Sequence, residues 1–462
     1  MSRGSELLKN TGILLMARIS TQAVNFLLIP LYTRVLNTSE YGEIDLYVSL
    51  AMIILPIMTL QIEMGVFRFF ITSKEEDDKK FIVTSAIALL AITFGVVSII
   101  YLIANFFLNI KHCGLLYLYY LIQAICAFFL QFCRAQGMTK EYGFATFINS
   151  SFAAFLNVIL ITIFSYKAEA ILISTCTANL LSSLYLSKVT NVKQYIGSSK
   201  YINRRKQIKL LNYSVPLVFN QVSSWVVNYS DRTIILAVWG IGMNGVYSLA
   251  NKFPSVVLVF FSVYNVVWTE NVIRSIEEKD NYRYINSVFK ISYRIYFALS
   301  TIVINLLPFV FSFFVGTDYY EAYYHIPILM LAFFYSGIAA NVGSLYVALE
   351  KTKEVGITTM LSGIVNIIIH LSLLHFAGLY AASISTLISF FALYIFRVWR
   401  IKKYYSLNIN LSEYIIQIGI FIISSFGFYS KNIIVIFVGT ILNITYFVYY
   451  IIPQIINRDL DT

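Results

Sequence analysis

Charge is what this sequence has least of. Asp, Glu, Lys and Arg together make up only 12% of its 462 residues, beside four histidines, four cysteines and seven prolines, whereas soluble domains carry about 25% charged side chains. That deficit excludes a water-soluble globular fold. Cysteine is too sparse for a metal cluster: Cys113, Cys126, Cys133 and Cys176 show no ligand spacing. Cys126 and Cys133, seven apart on one expected helix, stand ~10 Å from each other, beyond disulfide reach. The N-terminal MSRGSELLKN has a basic flank but no small-residue cleavage site, so the apolar stretch after it reads as a retained span.

What is there instead is apolar length. Hydrophobic residues form 58% of the chain and aromatic ones 16%, and a bilayer core takes roughly 20 apolar residues per helical crossing. Polar breaks divide the chain into expected helices at 11–33, 44–70, 81–108, 115–136, 143–165, 169–187, 211–238, 243–269, 291–315, 323–349, 355–376, 378–398, 412–430 and 433–453. The fold class expected is all-α integral membrane with about fourteen transmembrane helices.

The net charge of +11 must be sorted by loop. With both termini inside, 27 of the 34 basic residues fall in inner segments, Arg294 and Arg397 among them; only Arg34, Lys111, Lys167 and Lys431 fall outside. Arg18, Arg232 and Lys252 fall within helices. This bias orients the chain with both termini inside, and the bacterial inner membrane is the expected address. Positive charge dispersed over many short loops on one face also argues against a nucleic-acid partner. The longest basic tract, Lys188 through Lys209, reads as a cytoplasmic linker (191–210) suited to anionic headgroups. It separates an N-lobe (1–190) from a C-lobe (211–400), and 401–462 carries two further helices and a tail.

The lobes are related. A shift of 203 residues aligns Ser20, Thr21, Val24, Asn25, Phe26, Gly42 and Leu46 with Ser223, Ser224, Val227, Asn228, Tyr229, Gly245 and Leu249. A shift of 213 aligns Thr139-Lys-Glu-Tyr-Gly143 with Thr352-Lys-Glu-Val-Gly356. Six crossings per repeat make the lobes parallel, with a pseudo-twofold axis along the membrane normal.

Several segments resemble one family. They are Leu36-Asn-Thr-Ser-Glu-Tyr-Gly42, Tyr213-Ser-Val-Pro216, Asn228-Tyr-Ser-Asp-Arg-Thr-Ile-Ile-Leu236, Gly245-Val-Tyr-Ser-Leu-Ala250 and Val267-Trp-Thr269. Over roughly residues 10 to 400 the chain is similar to Wzx-type polysaccharide flippases, of the superfamily that includes lipid II flippases and multidrug and toxin extrusion (MATE) transporters. Asn37-Thr38 stands where similar proteins often carry Gly-Pro. The resemblance implies two six-helix lobes around a central cavity that opens alternately to each side. It also implies transfer of undecaprenyl-diphosphate-linked oligosaccharide between leaflets of the bacterial cytoplasmic membrane. Membrane lipids and other polysaccharide-assembly membrane proteins are the further partners implied. No cofactor or metal is called for, and coupling to H+ or Na+ stays open.

Ionisable groups within the membrane are site candidates by default. Arg18 and Glu63 lie at similar depth near the inner side, Asp231 and Lys252 at similar depth near the outer side; each pair can simply neutralise itself. Arg232 has no evident partner in sequence, and Arg34 and Arg68 stand at the two mouths. The first helix shows one polar face with Arg18, Thr21, Gln22 and Asn25, and the seventh shows another with Gln221, Ser224, Asn228 and Arg232. These faces are expected to line the cavity, with amides for sugar hydroxyls and guanidinium groups for the diphosphate. Arg18, Gln22, Asn25, Gln221, Asn228, Arg232 and Lys252 are the substrate-binding candidates. Glu63 and Asp231 are the charge partners. His370 and His375 in the eleventh expected helix could carry protons in a coupled cycle, but no carboxylate lies near them in sequence, and hydrogen-bonded packing is the preferred reading. The tyrosine runs at 117–120 and 319–324 read as interfacial belts, and Pro30, Pro56, Pro216, Pro254 and Pro308 as bending points.

Two other functions compete. A multidrug exporter of the same fold needs acidic residues for cationic cargo, and acids well inside the expected helices are scarce, with Glu63 and Asp231 the two singled out. A membrane polymerase or glycosyltransferase needs catalytic groups on a substantial outer loop. The outer loops are short, with Asp318 and Glu321 the best carboxylate pair, so no enzymatic role is assigned.

Overall fold

The computed structural model describes residues 19–24, 26–108, 112–276, 281–408 and 410–453. No strand occurs among them. Twelve helices are long and apolar enough to cross a membrane by length and composition, and the chain is an all-α membrane protein of roughly twelve to fourteen crossings. The first expected crossing is described only in part, being helical over 19–24 and again over Ile29–Val35 (α1), where Pro30 occupies the opening turn. Proline is tolerated there because an amide at a helix start has no intrahelical acceptor.

Two compact units divide the chain between Tyr229 and Ser230, with the short segment Asn37–Gly42 belonging to the second. In the first unit the single helix expected over 44–70 is broken. It forms α2 (Thr38–Thr59) and α3 (Ile62–Thr72), because Leu60 and Gln61 adopt left-handed φ values of 48° and 54°. The Gln61 amide donates to Thr59 Oγ1 (3.1 Å), which ends one helix and starts the next. Next come α4 (Glu76–Leu108), α5 (Cys113–Ala135), α6 (Thr139–Thr162) and α7 (Ala168–Val189). Ile62, Val66, Phe70, Val83, Phe132 and Tyr195 share one core. Phe70 meets both Phe132 and Tyr195 edge-on at 5.2 Å.

The basic linker is folded onto this unit as a strap. Thr84 Oγ1 of α4 donates to the Tyr195 carbonyl (3.2 Å) and accepts from the Gly197 amide (2.9 Å). At the next residue of α4, Ser85 accepts from the Asn203 amide (3.0 Å), and Lys206 pairs with Asp78. Two 3-10 turns, Val192–Tyr195 and Ser199–Tyr201, lead into α8 (Arg204–Trp239).

In the second unit α8 continues, followed by α9 (Ile241–Ser275), α10 (Asn281–Phe314), α11 (Glu321–Ala348), α12 (Thr352–Ala377), α13 (Tyr380–Ile401), α14 (Leu411–Ser430) and α15 (Ile433–Tyr446). The most apolar stretch of α11 is 72% buried, which makes it the central helix of this unit. Trp268 Nε1 of α9 donates to the α11 carbonyl of Asn341 (2.9 Å), and Tyr296 of α10 stacks on Phe261. Asn410 and Asn432 cap α14 and α15 by accepting first-turn amides.

Two arginines assigned in sequence to inner loops are interior instead. Arg294 of α10 clamps Glu413 of α14 through Nε (2.6 Å) and Nη2 (2.7 Å), and its Nη1 donates to the Tyr450 carbonyl. Arg397 of α13 donates only to neutral oxygens: the Ala339 carbonyl (2.5 Å), Thr358 Oγ1 (3.3 Å) and Thr359 Oγ1 (3.1 Å). The tyrosine runs likewise divide by helical phase. Tyr119, Tyr120, Tyr319 and Tyr323 are core residues, whereas Tyr320 and Tyr324 are exposed.

Candidate functional site

Asp231 is a carboxylate placed deep in α8 and 6% exposed. Burying such a charge is costly unless polar partners surround it, and four side chains from three helices do so within the second unit. His370 Nδ1 of α12 lies 2.8 Å from Oδ1. Thr386 Oγ1 of α13 donates to Oδ2 at 2.7 Å. Asn366 Nδ2 of α12 and the Tyr247 hydroxyl of α9 reach the same oxygen at 3.4 Å each. Asn366 and His370 are four residues apart, so one face of α12 presents both. His370 is fully buried, and its Nε2 has no hydrogen-bond partner among the described residues. With Asp231 ionised, Nδ1 carries the proton and Nε2 is left as a bare acceptor. The arrangement is an acid–base pair inside a membrane helix bundle, able to hold or pass one proton. The surrounding oxygens of Asp231, Thr386 and Tyr247 are also the hard donors that an alkali cation takes.

Sequence reasoning pairs Asp231 with Lys252 on matched depth. Depth is only one coordinate, however, and the azimuth of Asp231 on α8 turns its carboxylate toward α9, α12 and α13, where Tyr247, Asn366, His370 and Thr386 meet it. Lys252 and Arg232 are both half-buried. His370 reads in sequence as a packing residue before a proton carrier, because no carboxylate lies near it along the chain. A signal was available: Asp231 and His370 each sit about two turns inside the ends of their helices, Trp239 and Ala377.

The remaining candidates are dispersed. Arg18 and Asn25 lie outside the described residues. Gln22 is half-buried, and the neighbouring Thr21 hydroxyl donates to Ser150 Oγ of α6 (3.3 Å). Gln221 and Asn228 are exposed on α8, with the Asn228 amide turned back to the Ser224 carbonyl (2.7 Å). Glu63 sits in the first turn of α3, 6% exposed, with Oε2 unpartnered among the described residues. Arg34 and Arg68 are exposed. Further buried acids escaped notice: Glu43 and Asp45 in α2, and Glu413 in α14. Tyr47 donates to Glu43 Oε1 (2.5 Å). Glu43 lies just outside the expected helix 44–70, and Asp45 and Glu413 stand within two residues of an expected helix start, where an acid draws no notice as an intramembrane charge. Among the described residues no group of His, Cys, Asp and Glu is placed to hold a metal ion.

The twelve helices long enough to cross a membrane among the described residues, set in two helical units, have the fold of solved MOP superfamily structures. The chain matches the lipid II flippase MurJ in an inward closed conformation with a TM-score of 0.72, at 15% identity over 98% of this chain and 100% of that one. An inward-facing multidrug resistance MATE family transporter matches at 0.67, with 13% identity over 84% and 98%. A MOP superfamily transporter from Pyrococcus furiosus, described as having a binding pocket of reverse polarity, matches at 0.57, with 14% identity over 85% and 96%. No curated protein sequence matches this chain. The profile of the family described as "Polysaccharide biosynthesis protein" matches residues 7–269, more than half of the chain, and the protein belongs to that family.

Proposed function

We propose that this protein is a flippase of the bacterial cytoplasmic membrane, both termini inside. Its cargo is an undecaprenyl-diphosphate-linked oligosaccharide repeat unit destined for a surface polysaccharide such as O-antigen, capsule or exopolysaccharide. Membership of the polysaccharide biosynthesis family is the observation that carries this reading. The polar stripes of the first helix (Arg18, Gln22, Asn25) and of α8 (Gln221, Asn228, Arg232) supply amides for sugar hydroxyls and guanidinium groups for the diphosphate. Lys252 adds a further cation. The polyprenyl tail stays in lipid while the headgroup crosses by alternating access. Asp231 and His370 couple that cycle to a proton or Na+ gradient, and no covalent chemistry on the cargo is part of it.

One observation favours a second reading, a cation-coupled multidrug exporter. Glu43 and Asp45 enlarge the set of buried carboxylates beyond the two expected from sequence, and acids suit cationic cargo. The two functions separate in a strain deleted for the gene. Arg18→Gln and Arg232→Gln, alone and together, are expected to abolish surface glycan at an unchanged protein level. Normal glycan in the double variant defeats the site assignment, and efflux of a cationic dye that depends on Glu43 and Asp45 favours the exporter.

A further inference from the structure

A cavity of about 580 Å3 opens in the first unit, remote from Asp231 in sequence and confined to segments the flippase reading does not use. Its volume falls within the range of roughly 300–1,000 Å3 typical of ligand pockets. The walls come from the end of α3 (Phe70, Ile71), from Lys79 of α4, from the end of α5 (Arg134), and from the turns that follow α5 and α7 (Gln136, Thr190, Asn191, Gln194). Gln136 Nε2 donates to the Thr190 carbonyl (3.0 Å) and so fixes one turn against the other. The paired rings of Phe70 and Tyr195 contribute an apolar wall.

The lining contains two cations and no carboxylate. Arg134 spends only Nη1 on a protein acceptor, Gln131 Oε1 (3.1 Å); its guanidinium is held over Phe67 at 5.0 Å, and no carboxylate pairs with it among the described residues. The guanidinium also lies 5.7 Å from the Tyr142 ring, and no other hydrogen bond from it occurs among the described residues. Lys79 pairs with Glu76 (2.7 Å), which is 64% exposed, and an exposed i, i+3 pair of this kind exchanges readily for a better anion. The side-chain amides of Asn191 and Gln194 make no hydrogen bond among the described residues. Lys74, Lys140, Lys188 and Lys193 are exposed on the same short segments, which also carry the acids Glu75, Glu76, Asp77, Asp78 and Glu141, so the positive character is local to the cavity wall.

We infer that this cavity binds a phosphate-bearing anion, with Arg134 and Lys79 on the phosphate oxygens, Asn191 and Gln194 as neutral donors, and the Phe70–Tyr195 wall against the ester. Such a group is carried both by an anionic phospholipid headgroup and by a soluble phosphate ester. The site stands whether or not the flippase reading holds, since it shares no residue with the proposed substrate set.

The test uses the full-length protein in detergent, mixed with phosphatidylglycerol, with phosphatidylcholine or with glycerol 3-phosphate, and bound molecules counted by native mass spectrometry. Wild type is expected to retain phosphatidylglycerol or glycerol 3-phosphate at least fivefold better than the Lys79→Gln/Arg134→Gln variant at equal helix content. Gln194→Trp, which fills the cavity from an exposed wall position, gives the same loss and carries the test should the double variant misfold. Retention of the lipid alone assigns the headgroup as the source; retention or competition by glycerol 3-phosphate assigns a soluble ester. Equal retention of both phosphate probes by wild type and Gln194→Trp overturns the site. So does an equal loss of phosphatidylcholine.

Discussion

Asp231 and His370 lie 139 residues apart in sequence and 2.8 Å apart in space, so their partnership is a product of how α8 and α12 pack. If the pair only braces the helices, any side chain that keeps the hydrogen bond will serve. His370→Gln can still donate an amide hydrogen to Asp231 but cannot accept a proton. If the pair couples transport, His370→Gln and Asp231→Asn each reduce surface glycan at least tenfold while membrane protein levels hold. Unchanged glycan in His370→Gln reduces the pair to a brace. Arg294 makes the opposite kind of pair, bidentate and saturated. Removing one member of a buried ion pair costs about 3–5 kcal/mol because the other charge is stranded, whereas replacing both with apolar residues is often neutral. Arg294→Leu is therefore expected to lower the melting temperature in detergent sharply, and Arg294→Leu/Glu413→Leu to restore most of it. Sequence made Asp231 and Glu63 legible, since a lone acid in an apolar run stands out. It did not reveal His370, Arg294 or Arg397, because the partner or the helical phase that buries each is set by distant chain.

Among the elements, the start of α2 shows why a short motif persists in the sequence. Asn37 Oδ1 accepts the Glu40 amide (2.9 Å) while Glu40 Oε2 accepts the Asn37 amide (3.0 Å), a reciprocal cap that satisfies two orphan donors. Two residues on, Gly42 meets Gly245, its mate in the 203-residue repeat. A methyl at Gly42 would stand 2.0 Å from the Ile241 carbonyl oxygen, and one at Gly245 would stand 2.1 Å from that of Thr38. Both obstacles are backbone, so the helices must part. Gly42→Ala and Gly245→Ala are each expected to destabilise by about 1–3 kcal/mol or more, seen as a lower melting temperature. Gly356→Ala, with open space around it, is the neutral control. Repeat and motif thus announced these glycines. The break at Leu60 and Gln61 was not announced, because neither residue is a turn former and Pro56 lies a full turn upstream inside α2.

For the whole molecule, hydrophobic length alone made the helix class and most boundaries legible, since bilayer thickness leaves a polytopic chain few alternatives. Charge distribution is the argument for the proposed orientation, and two of the arginines it uses, Arg294 and Arg397, are interior. Arg294 and Arg397 anchor helices to helices rather than loops to headgroups, so they leave the inner tally. The imbalance survives, because the outer loops still hold only Arg34, Lys111, Lys167 and Lys431 and orientation follows loop cations rather than net charge. Reporter fusions check this on the intact chain. Alkaline phosphatase inserted after Gly197 or Glu350 is expected to be inactive and fluorescent-protein insertions there bright, with the reverse after Ser165 and Gly316. Active phosphatase at Gly197 would invert the topology. It would also move the Arg134 cavity to the outer surface and remove the inner-leaflet entry on which cargo uptake depends.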